Sequence, residues 1–479
     1  MCIRDRYIYG CEESISDDVV VLQEDVVYLS SERLVLTGRI ISLTQIDATD
    51  HGFLIADNEA FSNPITISLG EQTVPGRFVG SYEQLTPDTR YWAVAYALTG
   101  NGEIRSEPQL FTSLMPAITD FSPAVAAVGE ELTIIGANFT NDTKVFFEDR
   151  EAEIVKIVAE SIITVLIPSN SGTPFKNISV SSQGVSNTFD RPFEYVSGKW
   201  ESLGAFPLTD DVITTTIMME NEDYAFFGLG DRLFSMNLNT ETFLLDKSSN
   251  QWSRLPFEGR SLVGGFASWP FFGSGAIDRD GRNISATEFY KIENGVIEKE
   301  GDLPFALYNS FAFAFEESLF VFGGRVESGA TNSTVLEYDR RTKTWSIVDG
   351  QLLFGSSENI SFIYNGKGYF VGEDNVITQF DPVTKSWSLV GPYPGTVGKD
   401  GFVQVVDDKA YIGLFDSRRS TVEVDLLNFT SKRKTIFSGA FKASNTLSWT
   451  DGSDVFLLRT NAFDANDVMQ IWKFSPDQF

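Results

Sequence analysis

Three eight-residue stretches decide the fold of this chain: Leu245 to Trp252 (LDKSSNQW), Tyr338 to Trp345 (YDRRTKTW) and Phe380 to Trp387 (FDPVTKSW). They superimpose without gaps, with an Asp (Asp246, Asp339, Asp381) six residues before each Trp. An apolar run leads into each Asp and another short strand pattern follows each Trp, so each stretch reads as the turn of an antiparallel hairpin. Two weaker copies, Tyr290 to Ile297 (YKIENGVI) and Val424 to Ser431 (VDLLNFTS), place Ile297 and Ser431 in the Trp slot. The slots at 252, 297, 345, 387 and 431 lie 45, 48, 42 and 44 residues apart, the spacing of one four-stranded unit per repeat.

With Gly323-Gly324 closing the strand FVFGG upstream of Tyr338, the pattern resembles the kelch repeat. That resemblance implies one propeller blade per copy. Five copies are contiguous and a sixth is split. The terminal IWKFSPDQF supplies its aromatic and turn, while GKWESLGAFP around Trp200 supplies its Trp and outer strand. Residues 197–479 are therefore expected to close as a kelch-type six-bladed β-propeller, sealed by its own N-terminal strand. Its Trp slots are expected to pack between blades.

Upstream, Gly, Pro, Asn and Asp punctuate short β-branched and aromatic runs, and no segment holds a helical apolar period for three turns. The fold class is all-β. In residues 19–114 the turn LTPDTRY leading into Ala93-Val94-Ala95-Tyr96 resembles the corner of a fibronectin type III sandwich, which implies a buried Tyr91 ring with its hydroxyl on backbone. In residues 115–196 the order ITDFSP, GEELTIIGANF, KVFF and ITVLIP resembles the IPT/TIG immunoglobulin-like module. There Gly136 is expected at a bulge or turn, and Pro123 at a strand edge. Residues 1–18 remain as an acidic lead-in. The whole reads as two β-sandwiches followed by a propeller.

Composition removes several functions. The net charge of -29 is spread along the chain, which disfavours nucleic acid and direct docking on an anionic membrane. Two cysteines, Cys2 and Cys11, allow no disulfide framework or CxxC metal site. One histidine, His51, rules out triads and His-based metal centres, and its polar setting TDHGF suggests a surface position. No catalytic residue, metal or cofactor is expected.

The ligand-binding expectation falls on loops after the second strand of each blade, which carry Arg232, Arg279, Arg282, Arg325, Arg418, Arg419 and Arg459. Guanidinium groups converging on one face would suit carboxylate or sulfate; the alternative is pairing with local acids. Trp269, Phe271 and Phe272 offer aromatic surface for a sugar, or core. The expected function is a binding or adhesion protein, monomeric, with a glycan or protein at the propeller face. A kelch-type sugar-modifying enzyme, such as a sialic-acid mutarotase, and a structural cell-envelope component are the alternatives. Finally, Ile8-Tyr9-Gly10-Cys11 followed by EESISDD resembles the lipobox and export tract of Bacteroidota-like surface lipoproteins. That implies a lipid anchor on Cys11, an outer-membrane location, and a signal peptide whose apolar core is missing from MCIRDRY.

Overall fold

The computed structural model describes residues 19–232, 238–276, 286–348, 360–372, 374–439, 443–461 and 468–479. Cys11, Arg279 and Arg282 lie outside them. The chain divides into two compact units, Met1–Tyr195 and Val196–Phe479, and among the described residues it has no α-helix.

The first unit contains two β-sandwiches. In the first, strands Val20–Leu29, Leu34–Ile41 and Gly76–Tyr82 face a second sheet built on Ala48–Ala56 and Arg90–Thr99. Alternating residues such as Leu34, Leu36, Phe53, Ile55, Ala93 and Ala95 fill the space between, as the two-residue period of a half-buried strand requires. Tyr91 is buried, and its hydroxyl accepts the Thr86 N–H at 3.0 Å. His51 is not on the surface but 4 % exposed. Its Nδ1 lies 2.8 Å from the Gly70 carbonyl and its ring stands edge-on to Phe78 at 4.9 Å. The polar neighbour that disguised it, Asp50, is itself satisfied by Ser68 Oγ (2.7 Å), Gly70 N–H (2.9 Å) and Tyr96 OH (2.5 Å).

The second sandwich pairs Glu153–Val158, Ile162–Leu166, Glu131–Ala137 and Ala117–Ser122 in one sheet and Arg150–Glu151, Lys144–Phe147, Ile178–Ser182 and Val185–Thr188 in the other. Gly136 sits at a register shift, where a Cβ would strike the Ala117 carbonyl and the Phe139 ring. Pro123 follows an edge strand, where its missing N–H breaks no ladder.

The turn Ser30-Ser31-Glu32 of the first sandwich is buried against the second. Ser31 Oγ donates to the Asn138 carbonyl at 3.1 Å, and Ser182 Oγ donates to the Glu32 carboxylate. Burial raises the Glu32 pKa; Ser182 and Thr140 hydrogen bonds oppose that shift and Asp142 adds to it. A folded pKa above the unfolded one means that stability is fully present below the unfolded value and is lost as pH rises through the folded value. Glu32→Gln should therefore stabilise the first unit at pH 7 and give no gain near pH 3. Denaturation of both proteins across that range checks the sign.

Among its described residues the second unit forms six four-stranded antiparallel sheets. Their first strands are Ile217–Glu220, Phe266–Ser268, Phe311–Ala314, Ile360–Tyr364, Phe402–Val406 and Ala443–Thr450. Each first strand contacts the first strand of the next sheet, and that of the sixth contacts that of the first. The sixth sheet takes its fourth strand, Lys199–Ala205, from the start of the unit, where it pairs with Gln470–Ser475. The hairpins follow the repeat: Trp252, Trp345, Trp387 and Trp200 pair with Leu245, Tyr338, Phe380 and Phe474.

Each of these Trp rings meets an aromatic ring of the preceding sheet: Trp252 on Trp449, Trp345 on Phe289, Trp387 on Phe322 and Trp200 on Phe402, at 5.3–6.4 Å. Edge-to-face pairs of this kind add about 0.5–1.5 kcal/mol beyond burial. The same turns carry ion pairs between sheets, Lys343 to Glu300 at 3.1 Å and Lys385 to Glu337 at 2.6 Å. The copy Tyr290 to Ile297 is out of register. Ile297 pairs with Ile292 rather than Tyr290, because Asn294 and Gly295, both at positive φ, make a turn two residues shorter.

Candidate ligand-binding cavity

Every first strand is the edge of its own sheet, so one backbone edge of each is left over after the ladder is made. The six edges surround a cavity of about 770 Å³, lined from all six first strands. Its size falls within the range of small-ligand pockets. Apolar walls come from Met218, Ala267, Phe313, Phe362 and Val405, interrupted by Ser268, Ser361, Gln404, Thr446 and Ser448.

The polar groups concentrate toward the turns that join first and second strands. Glu220, at the end of Ile217–Glu220, accepts Lys247 Nζ at 2.5 Å and the Thr450 N–H at 3.0 Å. Lys247 also donates to the Asn221 carbonyl at 2.5 Å. Burial raises the Glu220 pKa, while the Lys247 ammonium and the Thr450 and Gln404 hydrogen bonds pull it back. Gln404 Nε2 donates to Ser448 Oγ at 3.0 Å, which links the fifth and sixth sheets. Beside this cluster Trp269 lies parallel to Tyr224, with centroids 6.1 Å apart and an interplanar angle of 14°. Phe271 and Phe272 are buried core, whereas Trp269 lines the cavity.

The arginines named from the sequence fall into different settings. Arg232 pairs with Asp211 at 3.0 Å and Glu241 at 3.2 Å, the local pairing that was the alternative reading. Arg459 is 3 % exposed, donates to Thr446 Oγ1 at 3.0 Å and lies over Phe437; burial lowers its pKa to about 10. Arg325 is exposed and donates to the Gly329 carbonyl at 3.2 Å, and Arg418 and Arg419 are exposed.

The segment after the second strand bonds back to the segment before the first, through Thr214 with Asp231, Val263 with Ala276, Tyr308 with Arg325, and Lys399 with Asp416. The equivalent position is thus arginine only in the third of these four sheets. Of the cavity residues, Trp269 was among the aromatics named from the sequence for a sugar, whereas Glu220, Gln404 and Ser448 were missed there. Their one visible signal is a polar residue inside an otherwise apolar strand, as in IMME and FVQVV.

All-β architecture with an immunoglobulin-like module is thereby defined. Residues 116–195 match the family model of the IPT/TIG domain, and that segment is an IPT/TIG domain. No curated protein matches the chain. Among similar solved structures, "Structure of YjhT" shares 13 % identity at a TM-score of 0.41, over 56 % of this chain and 95 % of that one. A structural-genomics protein of unknown function from Bacteroides thetaiotaomicron VPI-5482 shares 13 % at a TM-score of 0.39, over 75 % and 98 %.

Proposed function

We propose that the second unit is a kelch-type six-bladed β-propeller and that the chain is a cell-surface glycan-binding protein. The cavity enclosed by the six first strands carries this reading, because it combines ligand-pocket size with leftover backbone edges and neutral hydroxyl and amide side chains. A polyhydroxylated ligand matches such a surface. The propeller assignment draws support from the cyclic contacts between sheets and from the Trp slots packed on the preceding sheet. The IPT/TIG domain is consistent with a surface binding role, and the IYGC motif with lipid attachment at Cys11.

We read the cavity as binding rather than catalytic because the buried carboxylate at its mouth, Glu220, is already held by an ammonium and a backbone N–H. An anion-binding role for the exposed Arg325, Arg418 and Arg419 is a separate proposal, which charge reversal tested on acidic glycans would settle. A glycan array probed with the full chain tests the main reading. Saturable binding to a defined set of glycans is expected, and an array with no bound glycan would overturn it.

A further inference from the structure

The two ends of the cavity differ, and the difference selects a ligand class. At the end formed by the turns between first and second strands, four charged residues among the described ones border the space: Glu220, Glu222, Lys247 and Asp451. Lys247 is consumed by Glu220, which leaves Glu222 and Asp451 as exposed charges at that rim. An anionic ligand would meet like charge there, and little at this mouth would repay its desolvation. A neutral ligand meets no such cost. It finds instead Trp269, stacked on the 38 % exposed Tyr224, with Asn221, Gln404 and Ser448 lining the same cavity. Aromatic faces are electronegative, so they attract the slightly positive C–H face of a pyranose, while amide and hydroxyl groups suit its hydroxyls.

We propose that an uncharged pyranose sugar docks at this mouth, its C–H face on the Trp269–Tyr224 pair and its hydroxyls on the Asn221, Gln404 and Ser448 side. The site lies at the turns between first and second strands, not at the arginine-bearing loops that follow the second strands. This inference rests on the glycan-binding reading above and specifies which end of the cavity is used and which charge class is accepted.

The test is an array bearing both neutral and sialylated or sulfated glycans, probed with the full chain and with Trp269→Ala, Tyr224→Ala and Leu389→Ala. Wild type should bind neutral glycans. Trp269→Ala should weaken that binding at least tenfold and Tyr224→Ala several-fold, whereas Leu389→Ala, on an outer strand, should leave it unchanged. Should Trp269→Ala lose its fold, Tyr224→Ala decides alone, because its ring is at the surface. Binding confined to acidic glycans, or neutral binding undiminished in Tyr224→Ala, would overturn the inference while leaving the glycan-binding reading intact. No binding by wild type would overturn both.

Discussion

Trp200→Ala is expected to destabilise the second unit by about 3 kcal/mol, the low end of the cost of truncating a packed tryptophan, because its ring is half-buried against the core. In a unit of this size that loss corresponds to a fall in melting temperature of roughly 10 °C. Trp200 sits on the strand that completes the sixth sheet. Its ring stacks on Phe474 at 4.4 Å and meets Phe437 edge-on at 4.8 Å, while its Nε1 donates to the Thr435 carbonyl at 3.3 Å. Removing it loosens the strand pairing that joins the start of the unit to its end, Lys199–Ala205 with Gln470–Ser475. Tryptophan fluorescence is a suitable probe, because of the eight tryptophans only Trp92 lies in the first unit. A loss below about 1 kcal/mol would show that this strand does not seal the unit.

Lys434→Met should cost a similar amount, about 3 kcal/mol, because it takes the close cation from the buried Glu423 carboxylate and leaves it the Lys409 ammonium at 3.9 Å. The side chain of Lys434 is 5 % exposed and its Nζ lies 2.6 Å from Glu423, 2.8 Å from Ser197 Oγ and 3.0 Å from the Pro476 carbonyl. One ammonium thus binds the fifth sheet, the entering chain and the C-terminal turn. The penalty belongs to the poorly compensated Glu423 charge more than to the lost pair. Adding Glu423→Leu to Lys434→Met should therefore recover most of the stability. Urea denaturation of the two variants distinguishes this from a plain loss of packing, for which the double variant would be worse than the single.

The parts legible in the sequence were those fixed by spacing. A hairpin that places Trp345 opposite Tyr338 needs seven positions between partners, and that interval recurs at Trp252, Trp387 and Ser431. The same count, carried past the chain end, pointed to Trp200 as the partner of Phe474. Where the turn chemistry changed, the count failed: Asn294-Gly295 closes a tighter hairpin and moves Ile297 opposite Ile292. His51 was illegible for another reason. Its polar neighbours look solvent-exposed in sequence, yet Asp50 finds its partners across strands, through Tyr96 and Ser68, and the imidazole, next in the strand, points to the opposite face against Phe78.

The site itself was the least legible part. First strands carry no motif, so Glu220, Gln404 and Ser448 become neighbours only when the first, fifth and sixth sheets are brought side by side. Arginines after the second strands shared a sequence position without sharing a setting. Arg232 is tied to two carboxylates and Arg459 is buried, while Arg325 stays exposed. Local sequence specifies a strand or a turn; it does not specify which neighbouring acid or ring a flexible side chain will find.

Hydrogen exchange of the full chain, with and without the best-bound array glycan, tests most directly that the ligand occupies the cavity. Binding should slow exchange in Asn221–Tyr224, Ile360–Ile363, Phe402–Val405 and Thr446–Thr450, segments at or beside its wall and mouth. Protection confined to the first unit, or to the outer strands Thr344–Val348 and Ser386–Pro392, would contradict it.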